Sequence, residues 1–198
     1  MPQPEQKIEI TPRQAKITAT AAKRQPDLRV VLENIHDPHN VSAILRTCDA
    51  VGVPLVSLVY TNEKFPHIGK KSSASAFKWV DREKFRSIKE CYDSLHAQGI
   101  SVYATTLVPG AKNIYDIDFT KPCALVLGNE HRGVSDEAAQ LADACVYIPM
   151  QGMVQSLNVS VATAVALYEV LRQRLAHEMY SEIPTEKTAP LVQRYLRK

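Results

Sequence analysis

The chain has no GxGxxG fingerprint and no GxxxxGK[ST] loop, so the usual markers of a nicotinamide or nucleoside triphosphate site are missing. Only seven of its 198 residues are glycine. An ordinary Rossmann methyltransferase places a glycine-rich bend after its first strand. Here that bend reads "HDPHN", residues 36–40. The four cysteines, Cys48, Cys91, Cys123 and Cys145, lie far apart, and no pair has metal-site or redox spacing. They read as small core residues of a reduced compartment. No N-terminal stretch resembles a signal peptide. The longest apolar-rich run, 159–171, is too short to cross a bilayer and ends in "RQR". These absences describe a cytoplasmic protein with no membrane partner.

Charge is close to balanced, at +3, but it is segregated. Residues 1–25 carry five Lys or Arg against two acids, residues 60–90 eight against four, and residues 172–198 six against three. Residues 26–59 sum to −2 and residues 91–171 to −5. Basic ends and one basic internal segment suit an anionic polymer such as RNA or DNA, although solvated surface has the same composition. Arg13, Lys16, Lys23 and Arg24 at one end, Arg194 and Arg197 at the other, and Lys70 and Lys71 between them are the candidate contacts.

Apolar runs at 28–34, 54–60, 123–127 and 145–148 alternate with helical patterns. Near-continuous apolar strands separated by helices predict an α/β fold, a mostly parallel sheet with helices on both faces. Thr11 and Pro12 open a short basic helix. A second helix runs over 40–52 and stops at Gly52; residues 61–79 read as a loop, a short helix and a strand beginning near Trp79; further helices cover 82–99, begin at Ser135, and run over 158–176. The organisation is a basic tail and helix at 1–25, one domain at 26–176, and a polar tail with a short helix at 177–198.

Ligands of parallel α/β folds sit beyond the carboxyl ends of strands. Four such ends carry polar clusters: "ENIHDPHN" (33–40), "TTLVPG" (105–110), "GNEHRG" (128–133) and "PMQGMVQSLN" (149–158). His36, Asp37 and His39 raise a metal question. The plainer reading has Asp37-Pro38 as a turn, Asn40 as the helix cap, the histidines lining the loop, and no metal. Arg46 lies in an otherwise apolar helix. If buried, it must meet Asp49 or an external anion; if exposed, it is solvated. Gly128 either lets a ligand approach the backbone or belongs to a capped turn. Ser156 and Asn158 read equally as helix caps or as groups that orient a substrate. The helix after them is apolar over more than one face, which implies a second packing partner, most simply a symmetric dimer.

Three of these segments, "NIHDPHNVSAILRTCDAVGV", "LVLGNEHRGVS" and "IPMQGMVQSLNVSVATAVALYE", resemble in order the signatures of the SpoU (TrmH) branch of the SPOUT methyltransferases. The resemblance runs from about residue 12 to about 180 and implies a deep C-terminal trefoil knot, a homodimer, and S-adenosylmethionine as methyl donor. It places Asn40, Arg46, Glu130, Ser156 and Asn158 in the catalytic set. Leu127, Gly128, Ile148, Met150 and Leu157 fall on the donor-binding loops. Asn40 is expected to fix Arg46, and Glu130 to orient Asn40 or the RNA. The lead-in "AAKRQPDLRVVLENIHDPHN" and "SASAFKWV" are closer to the tRNA-modifying members than to the ribosomal ones. That implies methylation of the ribose 2'-hydroxyl of guanosine 18 in the tRNA D-loop. Methylation of ribosomal RNA or of another tRNA position, and an inactive RNA-binding dimer, are the rival readings. An exposed guanidinium is a weak base, so the expected mechanism has a substrate phosphate engage Arg46 and help it take the proton.

Overall fold

The computed structural model describes residues 10–67 and 76–198. Seven strands form one sheet: β1 (Leu28–Glu33), β2 (Leu55–Val59), β3 (Asp81–Phe85), β4 (Ser101–Thr105), β5 (Lys112–Asn113), β6 (Cys123–Leu127) and β7 (Ala144–Tyr147). Their order is β3-β2-β1-β6-β4-β7-β5. Every pairing is parallel. The central strands are apolar throughout because both faces are covered. In β6, Cys123, Leu125 and Leu127 point into one core and Ala124 and Val126 into the other. Each larger aliphatic side chain buried this way contributes about 2 kcal/mol.

One face is covered by α2 (Pro38–Val51) and α6 (Val159–Ala176), whose Ile44, Leu45, Cys48, Ala166, Leu167 and Val170 enter the first core. The short α3 (Ala76–Trp79) adds Ala76 to it. The other face is covered by α4 (Ile88–His96) and α5 (Asp136–Leu141), through Ile88, Cys91, Leu95 and Ala138. At the chain ends, α1 (Pro12–Ala22) and α7 (Ala189–Leu196) pack on each other through Ile17, Ala21, Leu191, Val192 and Tyr195. The Tyr195 hydroxyl donates to the Trp79 carbonyl at 2.7 Å. The short helix expected in the C-terminal segment is α7, and it is docked on the domain.

Local chemistry explains where expectation and structure part. "DREKF" belongs to β3, not to the start of a helix; α4 begins only after Ser87, whose hydroxyl accepts the Glu90 amide N–H. Arg, Glu and Lys suit a helix, but an edge strand paired on one side only with β2 also accepts charge and is protected by it. The cap of α2 is Asp37, whose carboxylate accepts the His39 N–H, with Pro38 in the first turn. Asn40 lies inside the helix and is not its cap. The 109–120 loop holds β5 and a 3-10 turn at Ile114–Asp116, with Phe119 fully buried. Cys48, Cys91 and Cys123 are buried, and burial pushes the Cys91 and Cys123 thiols up to about 12 and about 11, which leaves them inert. Among the described residues no helix is long and apolar enough to cross a membrane.

Candidate active site

Strands β2, β1 and β6 are neighbours, so the loops at their carboxyl ends lie side by side. Asn34, just past β1, adopts a positive φ of 51°. Asparagine is among the few non-glycine residues that take this conformation readily. The Asn34 side-chain carbonyl accepts the N–H groups of Thr61, Asn62 and Glu63 at 2.9, 3.0 and 3.2 Å, which fastens the loop after β2. Its main-chain carbonyl accepts the Asn129 side-chain amide at 2.8 Å, which fastens the loop after β6. Asn129 in turn accepts the N–H groups of His131 and Arg132. Asn34 carries no signal in the sequence beyond its place at a strand end, whereas Asn129 stands out in the second signature segment, though without a role.

Glu130 projects from this frame toward the start of α2. One carboxylate oxygen accepts the Asn40 side-chain amide at 2.9 Å and the Asp37 N–H at 3.0 Å; the other accepts the His36 N–H at 3.0 Å. Because the Asn40 amide nitrogen is used on Glu130, its oxygen is free to accept, and Asn158 donates to it at 3.1 Å. The Asn158 oxygen accepts the Ser160 N–H at 2.9 Å and so caps α6. One chain of hydrogen bonds thus runs Glu130–Asn40–Asn158, from the β6 loop through α2 to the mouth of α6. Asn158 is both a cap and a member of the polar site.

Burial opposes the charge on Glu130, but the bonds from Asn40 and from the His36 and Asp37 amides together outweigh it and hold the carboxyl below its usual range. A carboxyl lowered on folding favours the folded state above its unfolded-state value, and that advantage is lost as pH falls through the lowered one. Unfolding scans should therefore show wild type more stable than Glu130→Gln above about pH 5, with the difference vanishing in acid. A pH-independent gap would contradict this.

The other candidates stand apart from that chain. Arg46 is exposed on α2, six residues beyond Asn40 and so about 9 Å along the axis. Asn40 does not fix it, because the Asn40 side chain is committed to Glu130 and Asn158. Nor does Asp49 pair with Arg46; its carboxylate and carbonyl are taken by Arg24. Ser156 is exposed in the loop before α6. Gly128 has a different reason from close ligand approach: a Cβ there would stand 2.1 Å from the Gly133 carbonyl carbon and the Val134 nitrogen. The chain's own return occupies that space. Leu127 is buried in the first core, so only its main chain faces the site.

Residues 148–157 have the make-up of a site for an adenosyl ligand. Ile148, Met150 and Leu157 are half-buried, while 151–156 are exposed. Among the described residues, no main-chain N–H or carbonyl from Ile148 to Leu157 bonds to another backbone group outside regular elements. Apolar surface beside free main-chain donors and acceptors fits a purine nucleoside with a polar tail. Among the described residues no three His, Cys, Asp or Glu side chains gather as a metal site.

The basic candidates divide. Arg13, Lys16 and Arg197 are exposed. Lys23 pairs with Glu182 at 3.1 Å and Arg194 with Asp81 at 3.1 Å, both from partly exposed positions. Arg24 is a correction: at 2 % exposure, bonded to Asp49 and lying over the Tyr195 ring, it is structural and not available to RNA. Lys70 and Lys71 lie outside the described residues.

Solved structures that share this wholly parallel α/β fold include enzymes of the SpoU methyltransferase class. The A. aeolicus TrmH/SpoU tRNA modifying enzyme superimposes with a TM-score of 0.85 at 38% identity, over 93% of this chain and 95% of that one. The SpoU methyltransferase AviRb from Streptomyces viridochromogenes, in complex with the cofactor AdoMet, gives 0.70 at 29% identity, over 77% and 62%. The chain belongs to the SpoU rRNA Methylase family, whose model matches residues 27–168. It is 48% identical over 168 residues, 85% of this chain and 86% of the relative, to the tRNA (guanosine(18)-2'-O)-methyltransferase of Thermus thermophilus.

Proposed function

We propose that this protein transfers the methyl group of S-adenosylmethionine to the ribose 2'-hydroxyl of guanosine 18 in the D-loop of tRNA. The observation that carries the proposal is the Glu130–Asn40–Asn158 chain, which joins all three signature segments at one rim. The likeness to a guanosine-18 enzyme supports the substrate, and the AviRb complex supports the donor. When bound, the donor supplies a methyl group activated by a sulfonium.

The residues divide the work. Main-chain groups at 127–128 and 148–157 hold the donor, with Ile148, Met150 and Leu157 against its apolar parts. Asn40, braced by Glu130, and Asn158 hold the two sides of the ribose pocket in register, and Ser156 reaches the ribose. Arg46 meets the phosphate beside the target ribose: one guanidinium N–H passes its proton to a phosphate oxygen, and the neutral guanidine so formed takes the proton leaving the 2'-oxygen. In a second reading, favoured by its exposure, Arg46 acts only as a positive charge that steadies the developing oxyanion. Arg46→Lys separates the two, since lysine keeps the charge and loses the planar fork.

Exposed Val161, Tyr168 and Leu175 form one stripe along α6 at spacings of seven, an apolar face that supports a homodimer. We further propose that 26–176 is the methyltransferase domain and that its C-terminal end forms a trefoil knot. The insertion of β6 between β1 and β4 and the tight return at Gly128 support the knot. In this reading the flanking α1 and α7 hold tRNA through Arg13, Lys16 and Arg197, and the protein acts in the cytoplasm.

Asn158→Asp tests the site against simple capping. Aspartate caps a helix as well as asparagine does, so stability should hold within about 1 kcal/mol. It cannot donate to Asn40, and turnover should fall about a hundredfold. Thermal scans and single-turnover assays check the pair; unchanged turnover would leave Asn158 a cap alone. The reaction itself is tested by incubating unmodified tRNA with labelled donor and mapping the product by mass. A methyl group on ribosomal RNA or at another tRNA position would replace the guanosine-18 reading.

A further inference from the structure

Glu63, in the loop after β2, takes part in none of the chemistry above, yet it sits where three strand-end loops meet. Its N–H is one of the three held by Asn34, so its backbone is tied to the end of β1. One carboxylate oxygen receives Arg132 at 3.0 Å. The other faces the His36 imidazole at 3.5 Å. The Glu63 side chain is only 26% exposed, against 58% for Arg132 and 73% for His36. A shielded carboxylate thus faces two more exposed partners, one on each neighbouring loop.

Those loops carry Glu130 and the bend that leads into Asn40. Arg132 lies two residues beyond Glu130, and His36 is the residue whose N–H Glu130 accepts. Glu130 therefore braces the "HDPHN" bend from one side through backbone amides, and Glu63 braces the same bend and the Glu130 loop through side chains. Tyr60, three residues before Glu63, adds a hydroxyl bond to the Ile35 carbonyl at 3.0 Å. The link from the β2 loop to Arg132 runs across the strand order β2-β1-β6, so it bridges over the end of β1.

We infer that Glu63 is a positioning residue for methyl transfer: through Arg132 and His36 it holds the Glu130 loop and the 36–40 bend in register, and so sets where Asn40 stands. The inference rests on the reading of Asn40 and Glu130 as members of the active site. Glu63 meets neither donor nor RNA in this role, so it should act on the rate of the bound complex rather than on affinity. Partly exposed ion pairs contribute little to global stability, so the fold should not register its loss.

The test uses the full chain with Glu63→Ala and Arg132→Ala. Each should lower kcat about fivefold with KM for tRNA and donor within twofold, and leave the thermal midpoint in place. Amide hydrogen exchange over 34–40 should quicken in both. The swapped pair Glu63→Arg with Arg132→Glu should recover part of the lost kcat, which a loss of packing alone could not explain. Unchanged exchange, unchanged kcat, or a rise in KM that accounts for the whole defect would overturn the inference. If wild type makes no product on tRNA, the functional reading fails, while the exchange arm still decides whether Glu63 braces the bend.

Discussion

Arg46→Ala should lower turnover about a thousandfold and leave the protein folded and the donor bound. The expectation starts from what surrounds the side chain. Its nearest carboxylate in sequence, Asp49, is engaged by Arg24 through both its side chain and its carbonyl. Among the described residues no ion pair reaches Arg46. An exposed guanidinium on the helix that also carries Asn40, with no ion-pair partner among the described residues, suits a phosphate from outside. Alanine is a better helix former than arginine by a few tenths of a kcal/mol, so α2 loses nothing. Single-turnover methylation, with calorimetry of S-adenosylhomocysteine binding as the control, checks both halves. Turnover equal to wild type would remove Arg46 from the reaction, and lost donor binding would assign it elsewhere.

Arg174→Ala should have the opposite signature, a stability loss of about 4 kcal/mol. Arg174 is fully buried in α6. It donates to the Asp27 carboxylate at 2.6 Å, to Gln25 at 2.9 Å, to the Phe119 carbonyl at 3.0 Å and to the Lys121 carbonyl at 3.1 Å. One side chain thereby joins the approach to β1, the approach to β6 and the last turns of α6. Truncation strands Asp27 and two main-chain carbonyls and opens a cavity. At a few degrees per kcal/mol for a chain of this size, the thermal midpoint should drop by about 12 °C. Denaturant unfolding measures it; a change below about 1 kcal/mol would show that the cluster contributes little.

These two arginines also show what could be read from residues alone. Arg46 drew notice because it interrupts an apolar helix, and that oddity is local. Arg174 drew none: its acidic partner is 147 residues away, and no pattern within α6 marks it as buried. Arg24 failed in the same way, counted with a basic end although Asp49 holds it. The central strands were legible because burial on both faces makes them apolar at every position. Edge strand β3 was legible only at its start, near Trp79, since its charges from Arg82 onward also suit a helix. The signature segments located the rim, whereas its internal wiring joins residues 90 and 118 positions apart and had to come from the structure. Asn40 reads as the cap of α2 from sequence, but Asp37 takes that place, which leaves Asn40 free to link Glu130 to Asn158.

A crystal structure with S-adenosylhomocysteine and a tRNA carrying unmodified guanosine 18 decides the matter. The bound nucleoside should lie against 127–128 and 148–157, with the guanosine 2'-oxygen between its sulfur and the Arg46 guanidinium, and Asn40 and Asn158 at the ribose. Arg46 standing away from that ribose in every subunit arrangement, or the nucleoside seated outside these loops, would contradict it.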